Sequence, residues 1–169
     1  MTVILGIDPG SRVAGFGCVE LRPGSFPKCI KVVTAGVIKA DLKLSMPERL
    51  GQVHESVYDL IGQFEPKIIA IEKAFAYENI STAIKLGEAR GAIMAAAYRG
   101  GGGGVEATPA EVKQLIAGNG RASKEQVSMA LKALLNFDRG KMPHDASDAL
   151  ALAMFASWHK ISGEVAKSR

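Results

Sequence analysis

Cysteine is scarce in this sequence, with two in 169 residues, and so are tryptophan, with one, and aromatic side chains in general, at 6%. Two cysteines, Cys18 and Cys29, cannot build a disulfide framework, and neither has partners at metal-ligand spacing; both are expected as small buried residues on neighbouring strands of a cytosolic protein. No apolar run reaches the roughly 20 residues that a membrane-spanning helix needs. Met1-Thr-Val-Ile-Leu-Gly6 lacks the basic and then apolar pattern of a secretory signal. A cytoplasmic location with no membrane association is the expectation. Length excludes two full-sized domains, so one domain is expected over residues 1–160 with a polar tail over 161–169. At 47% hydrophobic and 22% charged residues the chain is too apolar to be disordered.

Charge of one sign is in modest excess, with 21 Lys and Arg against 17 Asp and Glu, a net +4. The excess is local. All of it falls between Lys85 and Lys141, where nine basic side chains meet five acidic ones. Such a stretch suits a polyanion-binding face or an ordinary solvated surface, and charge alone does not choose.

Val3 to Asp8 reads as a buried strand closed by Pro9-Gly10, and Val13 to Leu21 and Lys28 to Ile38 follow as an antiparallel pair. Ser45-Met-Pro-Glu48 has capping-box spacing, and Leu50, Val53, Val57, Leu60, Ile61 and Phe64 then recur at helical period. Lys67 to Glu72 reads as a central parallel strand, because its apolar run has no polar alternation. Asn79 to Arg99 is the longest helical pattern. It carries Ala83, Gly87, Gly91 and Ala95 every four residues, and two interior glycines cost about 1 kcal/mol each. Close packing against the core or against a second copy of the chain would compensate. The run Gly100 to Gly104 reads as a flexible connector, Thr108 and Ser123 open two further helices with capping boxes, and a last helix runs from near Asp145 to about Lys160. The pattern predicts an α/β fold with a mixed sheet flanked by helices.

Four acidic residues fall at ends of elements: Asp8, Glu72, Asp145 and Asp148. Singly each has an ordinary reading, Asp145 as an N-cap with Asp148 in the first turn, Asp8 as a turn residue, Glu72 as an ion-pair partner. Jointly they suggest more. Strand ends of α/β sheets are where ligands gather, and residues three apart on a helix share a face. Carboxylates gathered in one cleft repel unless a hard divalent cation, magnesium or manganese, lies among them; such ions activate water for phosphodiester hydrolysis. His144 is a candidate extra ligand.

Gly6-Ile-Asp8-Pro-Gly10-Ser-Arg12, Ala70-Ile-Glu72-Lys-Ala-Phe75, Lys85-Leu-Gly-Glu-Ala-Arg90-Gly91, Val112-Lys113-Gln114 with Gly118-Asn-Gly120, and Asp145-Ala-Ser-Asp148-Ala-Leu150-Ala occur in that order between about residues 2 and 158. Together they resemble the RuvC family of Holliday junction resolvases. The resemblance implies a ribonuclease-H-like fold, a homodimer, and Mg2+-dependent (Mn2+ substituting) nicking of two opposing strands of four-way junction DNA, with RuvA and RuvB as partners. By it, Asp8, Glu72, Asp145 and Asp148 are catalytic and metal-binding. The same resemblance implies that Phe75 stacks on a junction base, with Tyr77 as a candidate assistant, and that Lys113 and Lys124 contact phosphates. The chain departs from the family pattern at Glu78, where relatives often carry a basic residue, and at the glycine run with Ala107, which implies a loosened strand over Val105 to Ala107. Two alternatives remain on sequence alone. Gly-Ile-Asp-x-Gly also opens the phosphate hairpin of actin-like phosphotransferases, though no second such hairpin follows, and a non-catalytic junction-binding module would share the fold.

Overall fold

The computed structural model describes residues 1–73, 79–101, 103–136 and 142–163. Phe75, Tyr77 and Glu78 lie outside the described residues, as do residues 164–169 of the expected tail. Five strands, β1 (Thr2–Asp8), β2 (Val13–Leu21), β3 (Ile30–Lys39), β4 (Ile68–Glu72) and β5 (Gly103–Ala107), form one sheet in the order β3-β2-β1-β4-β5. β1 to β3 pair antiparallel, whereas β4 pairs parallel with β1 and with β5. The sheet is mixed, as expected.

Alternation along β1 and β4 sorts side chains between two cores. Leu5, Ile7, Ile69 and Ile71 face α1 (Met46–Phe64) and α2 (Ile80–Arg99), meeting Val53, Val57, Ile61 and Ile93. Ile4, Ile68 and Ala70 face the other way, toward α3 (Pro109–Ala117), α4 (Lys124–Leu135) and α5 (His144–Ile161). The result is three layers with the sheet in the middle. Cys18 and Cys29 are both buried and reduced, one in each core; Cys29 sits in the turn before β3 rather than on a strand. That turn is longer than expected, because the amides of Cys29 and Ile30 donate back to Ser25 and Pro27 (3.1 and 3.0 Å), so β3 starts at Ile30 and not at Lys28.

Helix starts follow their chemistry. Glu48 accepts from the Ser45 amide at 2.8 Å, and Thr108 and Ser123 close capping boxes with Glu111 and Gln126. The last helix behaves differently. Its N-cap is Pro143, without a side-chain bond, so Asp145 lies inside the first turn and is not consumed as a cap. The glycine run also departs from expectation. Gly103 and Gly104 are the first residues of β5 and not connector, paired with Ile68 and Ile69, and pairing continues to Glu72 and Ala107, so the strand over Val105 to Ala107 keeps its ladder. Gly100 caps α2, at a place where a Cβ would lie 2.3 Å from the Ile61 side chain.

One contact sets the position of α5. A Cβ at Gly6 would lie 2.0 Å from the Ala149 carbonyl oxygen, one at Gly15 1.9 Å from that of Asp145, and one at Gly17 2.7 Å from the Leu150 amide. The helix backbone therefore rests directly on the strand backbones, and α5 is buried almost all round from Ala146 to Ser157. A methyl group on that floor must push the helix away. Gly6→Ala and Gly15→Ala are expected to cost at least about 1–3 kcal/mol each in urea unfolding, the range of core overpacking. Gly51→Ala in α1, where a Cβ meets nothing within 4 Å, should be neutral or stabilising, and equal midpoints for all three variants would contradict the contact.

Candidate active site

Because Ile7 is in register with Ile71, the next residues, Asp8 and Glu72, end adjacent parallel strands and continue the row that faces α5. The α5 backbone, seated on Gly6, Gly15 and Gly17, brings its first turns over those strand ends. A cleft of about 330 Å³ opens there, with Asp8, Glu72, Asp148, Lys113 and Lys124 among its lining residues. Asp145 is not part of that lining, but its charge acts on Asp8. His144 is exposed at the start of α5 and does not line the cleft.

Electrostatics make the grouping plain. Burial, and then the charges of Glu72, Asp148 and Asp145, push the Asp8 carboxyl from its ordinary 3.8 up to about 8, with Lys124 opposing. Glu72 is raised as well, by burial first and Asp148 second, with Lys124 and Lys113 pulling the other way. Lys124 donates to Asp148 Oδ2 at 3.0 Å, and this bond holds its ammonium protonated beyond the usual range. An acid that stays largely protonated at neutral pH, beside further carboxylates and lysines, belongs to a site poised for a cation or for proton transfer.

The donor chemistry suits a hard divalent cation, since the cleft offers carboxylate oxygens and no thiolate or imidazole. The present arrangement is not a closed cage: among the described residues no group of three or more His, Cys, Asp or Glu side chains is gathered closely enough to hold a metal ion. The Lys124–Asp148 pair supplies part of the balancing charge instead.

Several contributors were not legible in the sequence. Val112, Val127 and Leu152 give the cleft an apolar wall; of the three only Val112 stood out in the sequence, as part of a motif and not as a cleft residue. Gln114 holds the loop between α3 and α4 from both ends of its amide, donating to the Gly118 carbonyl at 3.0 Å and accepting from the Gly120 amide at 3.1 Å. It thereby fixes α3, which carries Lys113, relative to α4, which carries Lys124. The spacing of Val112-Lys113-Gln114 and Gly118-Asn-Gly120 was the available signal, but its meaning is three-dimensional.

Comparison with known proteins agrees with this geometry. Residues 4–156 match the family described as Crossover junction endodeoxyribonuclease RuvC. A protein of that description from Halorhodospira halophila is 42% identical over 161 residues, which cover 95% of this chain and 92% of the relative. The structure of Thermus thermophilus RuvC superposes with a TM-score of 0.87 at 31% identity, covering 96% of this chain and 98% of that one. T. thermophilus RuvC in complex with a Holliday junction substrate gives 0.88 at 31% identity, covering 97% and 98%. The ribonuclease-H-like fold expected from the motifs is thus the fold found, and neither the actin-like nor the non-catalytic alternative gains support. A family match over nine-tenths of the chain, with the same fold and near-complete coverage in both directions, means that this chain belongs to the RuvC family of crossover junction endodeoxyribonucleases.

Proposed function

We propose that this protein is a Holliday junction resolvase, a hydrolase that nicks two opposing strands of four-way junction DNA and leaves 5′-phosphate ends that a ligase can seal. The carrying observation is the convergence of carboxylates from β1, β4 and α5 on one cleft flanked by Lys113 and Lys124. Asp8 and Glu72 hold one or two Mg2+ ions per subunit, Mn2+ substituting, and Asp145 and Asp148 complete the catalytic set. When bound, the metal offsets the carboxylate charge and lowers the pKa of the attacking water. Asp148 and Asp145, on the first turns of α5, orient that water and accept its proton. Lys113 and Lys124 bind the phosphates on either side of the scissile bond, Lys124 exchanging its bond to Asp148 for one to DNA. Phe75 and Tyr77, in the segment after β4, stack against an unpaired base at the junction, for about 1–3 kcal/mol per base. The four carboxylates account for four of the 17 acidic residues, so the rest of the chain carries a formal +8, suited to a phosphate backbone.

A junction with two-fold symmetry calls for two such sites, and α2 offers the surface for a homodimer. Ile80, Ile84, Met94 and Tyr98 are exposed on it, the last at 88%, and with Gly87 and Gly91 they recur at alternating steps of four and three residues. That is a coiled-coil seam. Among the described residues a Cβ at Gly87 or Gly91 would meet nothing within 4 Å, which supports a second copy of the chain over its own core as the packing partner of these glycines. RuvA and RuvB are the proposed branch-migration partners, the cytoplasm the place of action, and residues 1–160 the nuclease domain. Among the described residues no helix is long and apolar enough to cross a membrane.

Three outcomes test this reading. Asp8→Asn should abolish cleavage of a mobile four-way junction in Mg2+ while retaining junction binding; full activity would refute the catalytic assignment. Protonation gives the second. The Asp8 carboxyl is raised in the folded protein from 3.8 to about 8, so its contribution to metal-free stability is complete below about pH 4 and is lost as pH rises toward 8. At pH 8, metal-free Asp8→Asn should therefore melt above the wild type, by at least about 3 °C, and the gap should close at pH 4. Third, leucine at both Gly87 and Gly91 should change the mass measured by light scattering. An unchanged dimer mass and melting temperature would remove α2 from the interface.

A further inference from the structure

Arg90 lies on the sheet-facing side of α2, beside Ala89, which is buried, and its side chain is only 20% exposed. Its Nε donates to the backbone carbonyl of Glu72 at 3.1 Å, and its terminal nitrogen pairs with the Glu106 carboxylate on β5. The two acceptors stand on neighbouring strands, one residue apart in the ladder, where Ile71 pairs with Glu106 and Glu72 with Ala107. One guanidinium therefore ties three elements together at the point where β4 ends. Beyond Glu72, among the described residues, the strand has one further tie to β5, the Lys73 amide donating to the Ala107 carbonyl at 2.8 Å. On the other side, β1 turns away at Pro9, which has no amide hydrogen to offer.

We infer that Arg90 is a positioning residue for Glu72, clamping the end of β4 through its main chain so that the Glu72 carboxylate is held toward Asp8 for metal binding. The inference rests on the reading of Glu72 as a metal-binding carboxylate. Among the described residues no side-chain hydrogen bond orients the Glu72 carboxylate, so its direction depends on where its backbone is fixed. Arg90 reaches that backbone from 18 residues away in sequence, bypassing the segment between β4 and α2. The geometry also explains why arginine is required. A planar fork presents donors in two directions at once, toward a carbonyl and toward a carboxylate, whereas a single ammonium on a flexible stem cannot hold both. The pair with Glu106 offsets the guanidinium charge, so that Arg90 acts by placement and not as another cation in the cleft.

The test uses full-length Arg90→Lys, Arg90→Ala and Glu106→Gln proteins beside Glu72→Gln. Mg2+ and Mn2+ binding to the DNA-free proteins is followed by calorimetry, junction binding is measured in chelator, and single-turnover cleavage is recorded across a Mg2+ titration. Expected are a metal affinity weakened about 10-fold or more in both Arg90 variants, the usual size for a residue supporting a metal ligand, and a smaller loss in Glu106→Gln. Junction affinity in chelator should stay within about twofold of wild type, and raised Mg2+ should restore much of the cleavage rate in Arg90→Lys, a recovery that a general loss of stability would not give. Where Arg90→Ala fails to fold, Arg90→Lys carries the same readouts. Unchanged metal affinity and Mg2+ midpoint in Arg90→Lys would overturn the inference, as would a loss of junction affinity equal to the loss of cleavage, which would make Arg90 a DNA contact. Glu72→Gln separates the two levels: an inactive Glu72→Gln with wild-type behaviour in Arg90→Lys removes only the clamp, whereas an active Glu72→Gln removes the reading of Glu72 itself.

Discussion

Everything at the catalytic end depends on how closely the α5 backbone can approach β1 and β2. Ordinary helix-on-sheet packing keeps a side-chain layer between the two backbones. Here Gly6, Gly15 and Gly17 remove that layer, and the Asp145 and Ala149 carbonyls occupy the space where Cβ atoms would be. The approach converts two separate facts, that β1 and β4 end in acids and that α5 begins with acids, into one site. With alanine at those glycines the carboxylates would still be present, but α5 would stand farther from the strand ends. Burial on this scale is also what raises the Asp8 carboxyl, so packing and acid–base character have the same origin.

Placing like charges together is destabilising, and the structure offsets it only in part. Lys124 answers Asp148 directly, and Lys124 and Lys113 both lower the cost of ionising Glu72, but at Asp8 desolvation outweighs Lys124. The site is therefore left with an unmet demand for positive charge, which the proposed metal supplies. Exposed ion pairs contribute little stability in general, so the Lys124–Asp148 bond, with the lysine side chain 59% exposed, is better suited to being exchanged than to holding the fold together. An ammonium that can leave a carboxylate for a phosphate costs little to move. Gln114 limits that freedom by fixing the loop from which α4 departs.

Strand runs, capping boxes and the four acids were legible because each is a local pattern: apolar runs ended by Pro9-Gly10, Ser or Thr three residues before Glu or Gln, and carboxylates at boundaries. Three features were misread for physical reasons. Five consecutive glycines carry no β-propensity, yet Gly103 and Gly104 form a strand because the β4 edge offers a ladder and α3 follows at once. Asp145 has the composition of an N-cap, but Pro143 sets the helix start two residues earlier. Lys28 and Cys29 have strand-like neighbours but lie in a turn, which the Cys29 and Ile30 amides close by donating to the Ser25 and Pro27 carbonyls. The glycine floor under α5 left only a weak trace, since Gly6, Gly15 and Gly17 look like any strand glycines until the helix is placed against them. The contacts of Arg90 left less, because both of its acceptors are distant in sequence and one is a backbone carbonyl.

Helix α2 shows how one element satisfies constraints that conflict when taken one at a time. Ala89, Ile93, Ala96 and Ala97 are buried against the sheet side and anchor it. Arg90, at the edge of that face, reaches across to the ends of β4 and β5. The opposite face carries the exposed seam through Ile80, Ile84, Gly87, Gly91, Met94 and Tyr98. Interior glycines weaken an isolated helix, and at Gly87 and Gly91 in α2 no atom of the described residues fills the space they leave. A second backbone entering that space, as in the proposed homodimer, would recover their cost. Arg90 and Gly91 are consecutive, so the residue that ties α2 to Glu72 adjoins the residue at which a partner helix would approach most closely. In the proposed homodimer, a helix held firmly on both sides would fix the separation and orientation of two cleavage sites, which is what a substrate with two equivalent strands to cut demands.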